Sequence, residues 1–257
     1  MENLLQATPA DRTPADGARG RRAQQTDNFL LQNLSAADFA LIAPHLERVP
    51  FEVGDALARA GTPIEAVWFP EGAIAGVLDA LEGDHRLAIG LVGQEGFLGW
   101  PLLLGDDTWP HDGVMRAEQG HAMRLPAAVL VEATTRSDTL RQTLLRFVNV
   151  FMLQMGRTIV SSLAHPVERR MARWILLYHD RVRADEICMT HEEFRLMLGV
   201  RRSTVTEALH KLEEDGAVRT GRGKVIVQDR ARLIDLAGDT YGRAEREYRR
   251  LIIGNAT

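Results

Sequence analysis

Hydrophobic positions change their spacing three times along this chain, and each change predicts a different architecture. Between Phe29 and Leu46 the apolar residues Phe29, Leu30, Leu34, Phe39, Ile42 and Leu46 suit one or two short helices, with Ser35 and Asp38 placed as a helix start. From Phe51 to Pro126, glycine or proline interrupts the chain every few residues, at Gly54, Gly61, Pro63, Pro70, Gly72, Gly76, Gly83, Gly90, Gly93 and Gly96. The short apolar runs between them, Ala66–Phe69, Ala73–Leu78, Leu87–Val92 and Val114–Leu125, predict a many-stranded β-roll or barrel. A hairpin turn is expected at Glu82-Gly83-Asp84-His85.

From Ser137 to Leu163 there is no proline, and Leu140, Leu144, Phe147, Val148, Phe151, Met155, Ile159 and Leu163 recur at steps of three and four. A helix of that length is about 40 Å long at ~1.5 Å per residue, more than packing on one small barrel requires. The favoured reading is a parallel dimer seam on Leu140, Leu144, Phe147, Phe151, Met155 and Ile159. A core helix lying against the barrel is the alternative. Pro166 ends the helix and marks a boundary.

Residues 166–236 read as a compact helical unit. Val167 to Tyr178 is amphipathic, with Met171, Trp174, Ile175 and Tyr178 on one side. Thr190-His191-Glu192-Glu193 is a capping box, opening a helix that carries Phe194, Met197 and Leu198 inward and stops at Gly199. A second helix runs from about Arg202 to Asp215, with Val205, Ala208, Leu209 and Leu212 inward. Val218-Arg219-Thr220, the turn Gly221-Arg222-Gly223, and Lys224-Val225-Ile226-Val227 make a β-hairpin with a basic tip. Asp229 caps a last helix through Leu236, and the tail 237–257 is polar and helical in pattern.

Composition narrows the class. The chain has 257 residues, 45% hydrophobic and 26% charged, enough for a sizeable core without disulfide or metal staples. Residues 1–27, rich in Ala, Gly, Pro, Thr and Arg, are expected to be a disordered tail with Arg19, Arg21 and Arg22 in solvent. No uninterrupted apolar run of ~20 residues and no signal-peptide core are visible, so a cytoplasmic protein without membrane contact is expected. Net charge is −4, but residues 1–165 sum to −7 and residues 166–257 to +3. That asymmetry suits a rear part that meets a polyanion.

A helix, a tight turn, a second helix and a basic hairpin in this order describe a winged helix-turn-helix. The second helix turns Arg201, Arg202, Ser203, Thr206, Glu207 and His210 outward. In a major groove Arg pairs bidentately with guanine O6 and N7, and Glu accepts from cytosine N4. Arg202 and Glu207 are therefore the expected base readers, with Ser203 and Thr206 as adaptable partners. Thr190, His191, Arg201, His210, Arg222 and Lys224 are the expected phosphate contacts.

With these residues placed, the chain resembles the Crp/Fnr family of bacterial transcription regulators over about residues 28–236. The match is closest at Met189–Asp229, through Thr190–Glu193, Gly199, Arg202, Thr204-Val205, Leu212-Glu213 and Gly223-Lys224-Val225-Ile226-Val227. The resemblance implies an α+β fold of three parts. These are an N-terminal cyclic-nucleotide-binding-like, jelly-roll-like β-roll over 28–136, a dimerisation helix over 137–163, and a C-terminal winged helix-turn-helix over 166–236. It implies a homodimeric, non-enzymatic regulator of a near-palindromic site, with double-stranded DNA, a second copy of the chain and RNA polymerase as partners. Ser203 and Glu207 depart from the family's usual Arg-Glu with Arg at the third place, which implies a different half-site.

The roll departs further. Members that bind cyclic AMP carry a Gly-Glu pair and an Arg-Ser pair; the matching residues here are Gly99-Trp100 and His111-Asp112. A carboxylate at the phosphate position repels the ligand, so cyclic AMP is not expected. Trp100, His111 and Asp112 remain as a candidate effector pocket. The single Cys188 cannot support the family's iron–sulfur sensing, and no metal or other cofactor is expected. The alternatives are another effector in the roll, such as a different nucleotide or a haem held by His85, His111 or His121, and a cupin-like metal enzyme. Those histidines lack the close H-x-H spacing that a metal enzyme would favour.

Overall fold

The computed structural model describes residues 26–80, 86–116 and 120–254; the tail through residue 25 and the Glu82-Gly83-Asp84-His85 turn, with His85, lie outside the described residues. Two short helices open the chain, α1 (Phe29–Gln32) and α2 (Ala36–Ile42). Asn28 and Ser35 cap them by accepting from the N–H groups of Leu31 and Asp38. Two residues of the expected 1–27 tail, Thr26 and Asp27, are held in the fold. Thr26 is buried, donating to Glu71 Oε1 at 2.6 Å, and the Asp27 N–H reaches the same oxygen at 2.8 Å.

The glycine-punctuated region is the expected antiparallel roll. Strands β1 (Glu47–Phe51), β7 (Gly120–Pro126) and β3 (Ala66–Glu71) form one sheet. Strands β2 (Ala56–Ala58), β6 (Asp112–Arg116), β4 (Ile74–Ala80) and β5 (Arg86–Val92) form the other, each in that spatial order. A short helix, α3 (Pro101–Leu104), follows the Gly99-Trp100 tract. Helix α4 (Ala127–Arg136) was not foreseen: it starts from Pro126 with no side-chain cap.

Helix α5 (Asp138–Ala164) matches the predicted span, but the predicted seam faces the wrong way. Leu140 and Leu144 are fully buried, and Phe147 and Phe151 are buried in the roll's own core. Their rings sit where Gly96 and Gly90 leave room; a Cβ at either glycine would strike Phe147 or Phe151. Each buried ring contributes ~1.5–3 kcal/mol by removal from water. Met155 is only half-buried and Ile159 is exposed. Gln154 then fastens the helix to β5, its amide accepting from the Leu91 N–H at 2.8 Å and donating to the Leu91 carbonyl at 3.2 Å. An 18-residue window of α5 reaches a mean hydropathy of 1.2, long and apolar enough to cross a membrane, but its inward face is taken up by the roll.

Beyond Pro166 come α6 (Val167–His179), β8 (Glu186–Cys188), α7 (His191–Leu198), α8 (Arg202–Glu214), β9 (Val218–Gly221), β10 (Lys224–Val227) and α9 (Arg230–Ala237). Their core is continuous with the outer face of the second sheet. Ile74, Leu78, Ala88, Leu91 and Val114 pack with Tyr178, Phe194, Met197 and Leu198. The C-terminal segment then returns to the roll. Helix α10 (Arg243–Tyr248) and a π-helical turn, Arg249–Ile253, set Ala244, Tyr248 and Ile252 into the roll's core beside α5. Its polar pattern hid this, because the exposed Arg243, Arg246, Arg249 and Arg250 separate the buried residues.

Candidate nucleic-acid interface

Helix α7 begins at the predicted capping box: Thr190 Oγ1 accepts from the Glu193 N–H at 3.2 Å, and Glu193 Oε2 accepts from the Thr190 N–H at 2.6 Å. It ends at Gly199, whose φ of 64° lies in the left-handed region that glycine adopts without strain. A Cβ at Gly199 would also press on Leu87 of β5. The turn therefore both redirects the chain into α8 and seats the unit on the roll.

Helix α8 buries Val205, Ala208, Leu209 and Leu212. Its opposite face is open: Arg201, Arg202, Ser203, Thr206, Glu207 and His210 are all exposed. Arg201 occupies the N-cap without a side-chain cap bond, so its guanidinium is not used to close the helix. Thr206 Oγ1 donates back to the Arg202 carbonyl at 3.1 Å, which leaves its lone pairs outward. His210 lies 3.5 Å from Glu214 on the same helix.

The hairpin β9–β10 joins β8 in a three-stranded sheet ordered β8-β10-β9, one strand more than the sequence suggested. Arg222 is exposed at the tip, whereas Lys224 is tied to Glu186 Oε2 at 2.8 Å. The chain's other lysine, Lys211, donates to Glu168 on α6, and that bond holds the Glu168 carboxyl below its ordinary range. Thr190 is exposed and His191 half-buried at the start of α7.

Two contributors escaped the sequence. Glu213 reaches across the turn to accept from the Thr220 N–H at 2.9 Å and from its hydroxyl, fixing the wing against α8. Arg219 stands exposed on β9, adding a cation to the wing's outer side. Only their order in the chain was visible, and the fold alone brings residues seven apart into contact across Gly216.

The candidate effector residues do not converge. Trp100 is buried against Phe151, ring centroids 4.8 Å apart. His111 lies 3.7 Å from Asp79, while Asp112 accepts from the Ala60 N–H at 2.9 Å and pairs with Arg86 at 3.4 Å. Trp100 thus belongs to the aromatic core, and the other two to the start of β6, an inner strand of the second sheet.

A family model for the Crp-like helix-turn-helix domain matches residues 169–236, from the start of α6 to the end of the wing-capping helix. Residues 169–236 thus carry a Crp-like helix-turn-helix domain. Among curated relatives, the chain is similar to the transcriptional regulator SdrP of Thermus thermophilus, 26% identical over 201 residues, covering 74% of this chain and 94% of SdrP. Its fold is similar to that of FixK2 from Bradyrhizobium japonicum, with a TM-score of 0.66, 15% identity, and coverage of 75% of this chain and 98% of FixK2. It is also similar in fold to the c-di-GMP-responsive global regulator CLP of Xanthomonas campestris, with a TM-score of 0.61, 17% identity, and coverage of 76% and 100%.

Proposed function

We propose that this chain is a Crp/Fnr-type transcription regulator that acts in the cytoplasm as a homodimer on a near-palindromic DNA site. The observation that carries the reading is the open N-terminal face of α8, with Arg202, Ser203, Thr206 and Glu207 free of ion pairs among the described residues. Arg202 and Glu207 read base edges, and Ser203 and Thr206 adjust to them. Arg201, Arg222, Thr190, His191 and His210 position the unit on phosphates, and Lys224 joins them when it leaves Glu186.

The dimer forms through α5, on a face that keeps only Ile159 of the expected seam. Leu145, Asn149, Met152, Gly156, Ile159 and Leu163 alternate at steps of four and three, the spacing of a two-helix seam. Met152, Ile159 and Leu163 are exposed at 58%, 61% and 85% in the single chain, and a Cβ at Gly156 would meet nothing within 4 Å. Such a dimer presents its two α8 helices to successive turns of the major groove, about 34 Å apart. RNA polymerase is the downstream partner. Cyclic AMP is not the effector, since Trp100 packs into the core and Asp112 brings a carboxylate to the phosphate position.

Selection from random duplexes, followed by gel shifts at several salt concentrations, tests the reading. An inverted-repeat consensus and a steep fall of affinity with salt are expected. Arg202→Ala should cost about 1–3 kcal/mol and relax specificity at one symmetric position. No sequence preference in the wild type, or an unchanged consensus in Arg202→Ala, overturns it.

A further inference from the structure

The hinge between α5 and the winged unit gathers more cationic donors than its own carboxylates can satisfy. Arg157 and Ser161 lie one turn apart on α5, and His165 closes that helix. Arg169 and Arg173 face them from α6, and the Ala237–Thr240 segment crosses between. Arg173 is 2% exposed and Ser161 3% exposed. Yet Arg173 Nη1, Ser161 Oγ, Arg157 Nε and His165 Nδ1 find no hydrogen-bond partner among the described residues. Buried donors without acceptors are uncommon in folded proteins and mark a site that a ligand or ion completes.

One side chain partly completes it. The Asp239 carboxylate draws Arg169 Nη2 to 2.7 Å but stays 3.6 Å from Arg157 Nη2, which donates to the Asp239 carbonyl instead, and 3.6 Å from His165 Nε2. Two oxygens on a short side chain cannot meet donors arriving from three directions. Glu245 adds a second negative charge near Arg173, and its carboxylate also accepts from the Gly242 N–H at 3.0 Å. Three arginines against two carboxylates leave a positive excess before His165 is counted. Burial, followed by the nearby Arg181 and Arg157 charges, works against the Arg173 charge, with Glu245 opposing them, and its pKa falls to about 10.

We propose that this hinge is an oxyanion site for a phosphate group, in which Asp239 serves as an internal stand-in. A tetrahedral phosphate offers more acceptor oxygens than a carboxylate and suits planar guanidinium forks. The Asp239 side chain is 69% exposed, so it can leave towards solvent as the ligand enters. Because the site touches α5, α6 and the returning segment together, its occupation bears on how the winged unit is held.

Calorimetric titration of the full chain with inorganic phosphate, against sodium chloride at matched ionic strength, tests the site. Saturable phosphate binding is expected, together with a rise in unfolding temperature that chloride does not reproduce. Asp239→Ala removes the competing carboxylate and should tighten phosphate binding about tenfold. Arg157→Gln should abolish it while far-ultraviolet circular dichroism stays unchanged. Glycerol phosphate binding more tightly than phosphate assigns an organic phosphate ester, and the reverse order assigns the free anion. The proposal is overturned if phosphate matches chloride in the wild type, even where Asp239→Ala binds it, or if Arg157→Gln binds as the wild type does.

Discussion

Arg181 and Glu95 offer the sharpest test of how the winged unit is joined to the roll. Arg181 follows α6, Glu95 follows β5, and their side chains are 2% and 5% exposed. Arg181 Nη2 and Nε meet Glu95 Oε1 at 2.6 and 2.9 Å, while Nη1 donates to the Leu177 carbonyl. Burial opposes the Arg181 charge, but Glu95, then Asp180, outweigh it and hold the pKa above its ordinary value. Removing one partner of such a pair strands a charge without water and costs about 3–5 kcal/mol. Arg181→Met is therefore expected to lose that amount, which at ~2–4 °C per kcal/mol is a fall in Tm of roughly 6–20 °C. Glu95→Gln should be milder, because Asp180 and Glu245 still attract Arg181 and the amide oxygen can still accept from the Gly93 N–H. The double variant, with no charge left to strand, should recover most of the loss. Urea unfolding of all four proteins gives the coupling energy, expected at about 2–3 kcal/mol. Additivity within about 0.5 kcal/mol would refute the argument that this pair is a coupled interdomain bond.

Two further outcomes follow from named contacts. Ile159→Glu combined with Leu163→Glu should convert the proposed dimer to a monomer in light scattering while leaving the unfolding midpoint nearly unchanged, since both residues are exposed in the single chain; a persisting dimer rules out the α5 seam. Asp180 is fully buried, and burial lifts its carboxyl from 3.8 to about 7 against the opposing pull of Arg230 and the Tyr241 hydroxyl. The folded chain then binds a proton that the unfolded chain lacks, so this stability is complete below about pH 4 and is lost as pH rises towards 7. Relative to Asp180→Asn, the wild type should lose stability between about pH 4 and pH 7 in urea titrations. A constant difference between the two proteins contradicts the raised pKa.

Local signals made the winged unit legible. The capping box at Thr190, the left-handed Gly199 and the apolar spacing of α8 each determine structure within a few residues, so the exposed face of α8 followed directly. The roll was legible as a texture, because glycines at short intervals exclude long helices. The orientation of α5 was not. One apolar stripe serves equally for a core or a seam, and only the seating of Phe147 and Phe151 over Gly96 and Gly90 decides which face turns inward. Helix α4 lacked a capping residue, and Glu213, Arg219 and the hinge cluster owe their roles to contacts between residues distant in the chain.

The return of the C-terminal segment has a mechanical consequence. The chain enters the winged unit at His165-Pro166 and leaves it through Gly238–Gly242, and both crossings are anchored to the roll or α5. A body joined by a single linker swivels in three directions. One pinned at two points turns only about the line between them, as a door turns on its hinges. Once such a unit parts from the second sheet and from Glu95, the two α8 helices of the proposed dimer would open and close along one arc, their separation coupled to their tilt.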